Sequence, residues 1–336
     1  MRFMKCLVLI LFIFSCNSGP KTPDVSDIKV ELTTKRFEND FFSLGKYTDI
    51  QQVESLIKKY PIFASDFFST ILNIDITSNS DSVLRYINGY KQAYQALEDT
   101  ASLVFKDFSP YEKEIKKSLQ YLKYYFPNYH QPNSIITYVG PIDGYGDIIS
   151  DDAIIIGLHH HLGSNASFYK FGWVQETYPS YLTYNFDPPH IAINCMKNII
   201  VDMYPSQFDE ANLLTQMIES GKRLYLLQML LPEKEEYRLI GYEEKQMKQC
   251  YEHEAQIWDL FIQNNYLQSI DKNIIKNFIG ESPKTIELGE ASPGNIGSFV
   301  GWQIVKKYMA KKPETTLQDL MKLTDEEIID IAKYKP

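Results

Sequence analysis

The chain contains little cysteine. Its 336 residues include only four, Cys6, Cys16, Cys195 and Cys250, and no two of them have the CxxC spacing. A fold held by disulfides needs a denser set, and no Cys/His cluster here has the spacing of a structural zinc site. Cys195 and Cys250 could form one disulfide or remain as two buried thiols, and the sequence leaves both possibilities open.

Basic residues are fewer than acidic ones. The chain has 34 Lys and Arg against 43 Asp and Glu, which gives a formal net charge of -9. Loss of the first 15 residues would change this to -11, because Arg2 and Lys5 are the only charged residues among them. Binding to nucleic acid or to an anionic membrane surface needs clustered Lys and Arg, so we expect neither.

Long hydrophobic runs are also missing, apart from one at the amino terminus. Leu7–Phe14 is an apolar run of eight residues, too short to span a bilayer but typical of a signal peptide. It is followed by Ser15 and Cys16, a pairing that predicts lipidation at Cys16. We therefore expect a signal peptide over residues 1–15 and a polar, lipidated tether over residues 16–27. An ordinary cleaved signal peptide with a chance cysteine is the alternative.

The common catalytic motifs do not occur. The chain has no GxSxG, GxGxxG or Walker A sequence, and its nearest approach to HExxH places Ile257 where the second histidine should stand after His253 and Glu254. We accordingly expect no cofactor.

Three consecutive histidines, His159, His160 and His161, are the main metal-site candidate. On a strand, His159 and His161 would share one face and could ligate a metal with a third ligand from elsewhere. The alternative is that the histidines follow the end of a strand in a loop. We favour the loop, because no further ligand completes a recognisable spacing.

Periodicity predicts an α+β fold that is predominantly helical with a small β-sheet. Residues 37–127 are mainly helical by their apolar spacing, whereas the β-branched runs Ser134–Val139 and Ala153–Leu158 predict adjacent strands or a hairpin. Several helices follow. We treat residues 28–336 as a single globular domain, with a helical part over 37–127 and the sheet plus helices over 134–336.

The strongest helical pattern covers Asp209–Pro232, where apolar residues recur at three- and four-residue spacing. A second helix is predicted over Glu243–Asn264, and Glu254 fills a gap in its apolar stripe. A buried carboxylate needs a cation or stays neutral. We therefore predict a structural buried pair between Glu254 and Lys222 or Arg223, and we weigh a catalytic acid or base at Glu254 as the alternative.

Several segments together resemble one family. The gliding-motility lipoprotein B family (GldB) of Bacteroidetes is similar over almost the whole chain beyond the signal peptide. The segments that carry the resemblance are FENDFF (37–42), IIIGLHHHLG (154–163), YPSYL (178–182), MIESGKRLYLLQMLLP (217–232), HEAQIW (253–258) and SPGNIGSFVGWQIVKKYM (292–309).

The resemblance implies an envelope lipoprotein required for gliding, with no established enzymatic activity. This family also resembles, distantly, a group of predicted zinc-dependent proteases with an HExxH helix. Asn198–Met203 would match that helix and Glu219 a downstream glutamate, but residues 198–202 contain no histidine. The resemblance thus implies a zincin-like core without an intact metal site.

The expected function is that of a non-catalytic, lipid-anchored cell-envelope protein. It would contact the membrane through its lipid and other envelope proteins, of motility or secretion machinery, through its surface. The alternative is a zincin-like, metal-dependent hydrolase whose relocated site uses His159 and His161 with Glu219 or Glu254.

Overall fold

The computed structural model describes residues 22–45 and 48–336 and confirms the α+β class, with helices accounting for 59% of it. The predicted signal peptide and Cys16 lie outside the described residues. The helices are α1 Phe37–Ser43, α2 Ile50–Lys59, α3 Ala64–Asp66, α4 Ser80–Val104, α5 Ser109–Tyr125, α6 Gly172–Thr177, α7 Ser180–Thr183, α8 Ile191–Met203, α9 Leu213–Leu230, α10 Glu236–Ile240, α11 Glu244–Glu252, α12 Glu254–Gln263, α13 Lys272–Ile279, α14 Ile296–Lys311, α15 Leu317–Leu320 and α16 Asp325–Ala332.

The sheet has four strands in the spatial order β1-β2-β4-β3. They are β1 Thr33–Arg36, β2 Ser134–Tyr138, β3 Ile148–Ile149 and β4 Ala153–Gly157. β2 pairs with both β1 and β4 in parallel, and only the short β3 is antiparallel to its neighbour β4. The two predicted apolar strands are therefore adjacent but parallel, and the segment between them is a crossover that carries β3 rather than a hairpin turn.

The sheet is buried on both faces. On one face, Ile136 and Ile155 pack into an amino-terminal core built mainly from aromatic residues of α1, the residues that follow α2, and α4. On the other, Ile135 and Ile154 belong to the main core formed by the remaining helices. Burial on both faces explains why β2 and β4 are continuous apolar runs without alternation. Val25 is also fully buried in the main core, so packing begins inside the stretch predicted as a tether.

Helices α9 and α14 form the centre of the main core. α9 begins after Asn212, whose side chain accepts a hydrogen bond from the Thr215 amide at 3.0 Å, and it is buried on several sides, as its apolar second half predicts. α14 is buried along most of its length and packs directly against α9. Within the described residues, no helix is both long and apolar enough to cross a membrane.

The predicted helix over Glu243–Asn264 is interrupted. It divides at His253 into α11 and α12, so Glu254 is the first residue of a new helix instead of a position inside a continuous stripe. Its side chain is consequently only half-buried. Cys195 and Cys250 are both free and buried, which decides between the two possibilities that the sequence left open.

Candidate functional site

The three histidines follow the end of β4 in a tight turn. His159 and His160 lie in a 3₁₀ turn, Leu158–His160, and His161 comes directly after it. The strand geometry that would place His159 and His161 on one face is therefore wrong, and the loop alternative is correct. All three side chains are nevertheless buried, at 0%, 8% and 0% exposure. Buried imidazoles need hydrogen-bond partners, and backbone groups supply most of them.

His159 and His160 are held by the loop that joins β2 to β3. Nδ1 of His159 accepts a hydrogen bond from the Gly140 amide at 3.0 Å, and its Nε2 donates to the Tyr145 carbonyl at 2.9 Å. Nε2 of His160 donates to the Ile142 carbonyl at 2.8 Å. Both nitrogens of His159 are thus occupied, and no lone pair on that ring is free for a metal.

The glycines of this loop permit its close approach to the rings. A Cβ at Gly146 would lie 2.6 Å from Nδ1 of His160, and a Cβ at Gly140 would lie 2.8 Å from Cε2 of Tyr138 and 3.1 Å from Cε1 of His159. Only glycine leaves enough room for the backbone at these two positions. The Gly- and Asp-rich sequence GPIDGYGD separates the two apolar strands. It therefore forms the loop whose backbone packs against the histidine rings.

His161 forms a buried pair with Asp147 from the same loop. Its Nε2 lies 2.8 Å from Oδ2 of Asp147, and that carboxylate also accepts hydrogen bonds from the side chain of Asn194 at 3.1 Å and the amide of Gly157 at 3.1 Å. Asn198 donates to the Asp147 backbone carbonyl at 2.9 Å. Sequence reasoning missed Asp147 and both asparagines. The only signal was the Gly/Asp-rich loop, since nothing in the sequence placed α8 beside it.

The pKa values of the three histidines shift in different directions because of this pair. Burial, together with the neighbouring histidine charges, holds the pKa of His159 well below its usual range, and burial also lowers the pKa of His160. Burial opposes ionisation of His161 as well, but the Asp147 carboxylate outweighs it and raises the pKa of His161. Burial likewise raises the pKa of Asp147, and His161 more than compensates, so that the pKa of Asp147 is lowered. Asp147 therefore favours the charged form of His161, whereas burial favours the neutral forms of His159 and His160.

This arrangement does not support a metal centre. Across residues 22–45 and 48–336, no group of three or more His, Cys, Asp and Glu side chains is placed to hold a metal ion. His161 faces Asp147, whereas His159 faces the backbone of the covering loop. The two candidate ligands thus bind different partners, and Glu219 and Glu254 have partners of their own. The zincin-like core that the resemblance implies has no support here.

The predicted pairing of Glu254 with Lys222 or Arg223 is wrong. Lys222, 1% exposed, instead pairs with Glu219 one turn earlier, at 2.5 Å between Nζ and Oε1, and donates to the Leu323 carbonyl at 2.5 Å. No ion pair within 4.0 Å joins Glu254 to either cation in the described part of the chain. The Lys222 ammonium meets its carboxylate on its own helix, so Glu254 is not its partner.

Glu254 contacts the carboxyl-terminal segment instead. Its Oε1 accepts a hydrogen bond from the hydroxyl of Tyr334 at 2.5 Å. Burial, with the adjacent Glu254 carboxylate, raises the pKa of Tyr334, so the phenol remains the donor. Glu254 therefore stabilises the position of the last residues of the chain, and it does so at the edge of a cavity.

Comparison with known proteins agrees with the resemblance. A family model described as gliding motility protein GldB, a lipoprotein family, matches residues 18–336. No curated protein and no solved structure matches the chain.

Proposed function

The chain belongs to the gliding motility protein GldB family, and from this membership we propose that it is a lipid-anchored envelope protein that acts in gliding through protein contacts, without catalysis. The observation that carries the proposal is the extent of the family match, which covers residues 18–336 and so every residue that the structure describes. Lipidation at Cys16 would place the anchor just before the matched region, and the family is one of lipoproteins.

The chemistry of the histidine cluster favours a non-catalytic role. Each histidine is buried and bonded to backbone or to Asp147, and the neighbouring thiol of Cys195 is buried. Burial, with a smaller effect of Asp147, raises the pKa of Cys195 well above its usual range, so this thiol is a poor nucleophile. A cluster of this kind holds a loop to the sheet and offers no reacting group to a substrate.

The surface offers groups suited to a protein partner. Phe171 and Trp173 are each 47% exposed at the start of α6, and Tyr184 is 40% exposed nearby in the sequence. Aromatic residues are enriched at protein interfaces, where they contribute most of the binding energy. These residues would be natural sites for the first interface substitutions.

The test is genetic and biochemical. Replacing Cys16 with serine should release the protein from the membrane fraction and abolish colony spreading, whereas His161→Asn should impair gliding only as far as it lowers the amount of folded protein. Affinity purification from detergent-solubilised membranes should recover envelope proteins with the wild-type chain. Full gliding with the soluble Cys16→Ser protein would overturn the anchored role. Stoichiometric zinc that is lost in the His159→Ala, His161→Ala double variant would overturn the non-catalytic one.

A further inference from the structure

Helix α5 presents a row of lysines to the surface. Its buried side chains, chiefly Ile115, Leu119 and Leu122, lie on one side of the helix. At about 100° per residue, the opposite side carries six side chains, and none of them is a carboxylate. We call this set the lysine face; it consists of Lys113, Lys116, Lys117, Gln120, Lys123 and Tyr124.

The two glutamates of α5 flank the lysine face and bond to other parts of the chain. Oε2 of Glu112 accepts a hydrogen bond from the hydroxyl of Thr34 at 2.7 Å. Oε1 of Glu114 lies 2.7 Å from Nζ of Lys234. Each carboxylate thus has a partner outside the lysine face.

The segment that enters the fold from the amino terminus runs along the same helix. The side chain of Gln120 donates to the Ile28 carbonyl at 2.8 Å, and Nζ of Lys123 donates to the Lys29 carbonyl at 3.0 Å. Val25 is fully buried in the main core, so it fixes the point from which the chain leads back toward Cys16. The lysine face therefore borders the side of the domain to which the proposed lipid anchor is joined.

Acidic side chains of this segment reduce the positive charge of the region without cancelling it. Hydrogen bonds from Ser26 and, to a smaller extent, the ammonium of Lys117 lower the pKa of Asp24, so Asp24 opposes one lysine of the face. The exposed charged residues of the segment are Asp24, Asp27, Lys29, Glu31 and Lys35. With the four lysines of the face, six positive charges stand beside three negative ones.

The distance between the anchor and the domain is short. Val25 is nine residues after Cys16, and nine residues span at most about 32 Å even when fully extended. Helix α5, with 17 residues, is itself about 26 Å long. A lipid on Cys16 would consequently keep the lysine face close to the bilayer.

The net charge of the whole chain argues against an anionic surface as a partner, but the local charge decides at this distance. At physiological ionic strength, charges farther than about 8 Å away are largely screened. The face that lies near the bilayer therefore matters more than the total, and clustered lysines beside a membrane anchor attract anionic lipids. Tyr124, 51% exposed within the face, is of a residue type that is enriched at membrane–water interfaces.

We propose that the lysine face of α5 lies against the anionic phospholipid headgroups of the membrane that holds the anchor, and that this contact orients the domain. The inference rests on the proposed lipid anchor at Cys16. It adds to that proposal the face of the domain that contacts the membrane and the chemistry of the lipid.

The experiment measures how fast each lysine of the lipidated chain is acetylated by sulfo-N-hydroxysuccinimide acetate, as read by peptide mass spectrometry. The chain is reconstituted into vesicles of phosphatidylglycerol and phosphatidylcholine, and the control vesicles contain phosphatidylcholine alone. We expect Lys113, Lys116 and Lys117 to react at least about fivefold more slowly on the anionic vesicles. The exposed Lys248 of α11 and Lys276 of α13 should react equally on both.

Salt and matched variants locate the contact. About 1 M NaCl should remove the protection, since the Debye length then falls to about 3 Å. In the Lys113→Gln, Lys116→Gln variant, the protection of Lys117 should fall by at least about half. The Lys248→Gln, Lys276→Gln variant has the same net charge and should leave the protection of Lys117 unchanged. Thermal melts establish that both variants are folded.

Equal acetylation of the lysine face on the two kinds of vesicle would overturn the inference, as would undiminished protection of Lys117 in the Lys113→Gln, Lys116→Gln variant. Protection in native membranes that anionic vesicles fail to reproduce would also overturn it, and would assign the face to an acidic protein partner. The proposed function fails separately. A chain that floats with neither kind of vesicle lacks the lipid anchor, whereas a chain that floats with both and shows no protection loses only the contact of α5.

Discussion

Gly221 of α9 and Gly301 of α14 lie against each other's backbone at the crossing of the two central helices. A Cβ built on Gly221 would lie 2.3 Å from the carbonyl carbon of Gly301, and a Cβ on Gly301 would lie 1.7 Å from the carbonyl oxygen of Met217. Beside this contact, the hydroxyls of Ser220 and Ser298 are 2.6 Å apart. Small residues thus allow the two helices to approach more closely than ordinary side chains would permit.

The first prediction concerns this crossing. Gly301→Ala should lower the free energy of unfolding by about 3 kcal/mol, because the methyl group meets backbone that cannot move independently of its helix. Chemical denaturation checks it. Gly89→Ala is the matched control, since Gly89 lies exposed within α4 with open space where a Cβ would stand. That change should stabilise the protein by about 0.5–1 kcal/mol. Equal effects of the two substitutions would contradict the proposed close approach.

The second prediction concerns the buried pair on α9. Glu219→Leu leaves the ammonium of Lys222 buried with only the Leu323 carbonyl, and it should cost about 3–5 kcal/mol. The double variant Glu219→Leu, Lys222→Met should recover most of that loss, because no uncompensated charge remains. Urea denaturation of the single and double variants measures the loss of unfolding free energy and its recovery.

The control for this pair is Glu210→Leu. Glu210 contacts Lys272 at 2.7 Å, but both side chains are largely exposed, so the midpoint of unfolding should not change. A double variant as unstable as Glu219→Leu alone would show that lost packing, and not the unpaired ammonium of Lys222, determines the loss of unfolding free energy.

The third prediction concerns pH. Burial lowers the pKa of His159 and of His160 in the folded chain, whereas both ionise in the unfolded chain near pH 6.5. The unfolded state then binds more protons, so stability should fall as the pH drops below about 6.5, by up to about 1.4 kcal/mol per pH unit for each histidine. Denaturation midpoints between pH 7.5 and 5.5 measure this slope.

His161 contributes with the opposite sign. The raised pKa of His161 means that its stabilisation is fully present below about pH 6.5 and is lost as the pH rises through the folded pKa. The double variant Asp147→Asn, His161→Asn removes both partners, so it should lack the gain in stability that the wild-type chain shows as the pH falls from 8 toward 6.5. The same gain in the double variant would show that the Asp147 pair is not its source.

The fourth prediction concerns the two thiols. Burial raises the pKa of Cys250 to about 12 and that of Cys195 well above its usual range, and both side chains are inaccessible. Iodoacetamide at pH 8 should leave both unmodified in the folded protein and modify both in denaturant, as followed by peptide mass spectrometry. A disulfide-linked peptide containing Cys195 and Cys250 would contradict the structure.

Glu254 shows where sequence reasoning reached its limit. The apolar stripe around it is real, since Met247, Cys250, Ile257 and Phe261 are all buried. However, the pattern predicts one continuous helix, whereas the structure has an interruption at His253, and Glu254 bonds to Tyr334 instead of a cation of α9. Periodicity measures the spacing of residues along one helix, so it cannot detect an interruption when both halves bury the same kind of side chain.

The sequence by itself determined the class of fold, the two adjacent apolar strands and the central helix α9, because each depends on local periodicity or on runs of apolar residues. The family followed from the resemblance of whole segments to known sequences. Only the tertiary structure decided that β2 and β4 are parallel, that Lys222 pairs with Glu219, and that Asp147 meets His161. These contacts form between segments brought together by core packing, and the energy of a buried charge depends on which atoms surround it. No spacing along the chain contains that information.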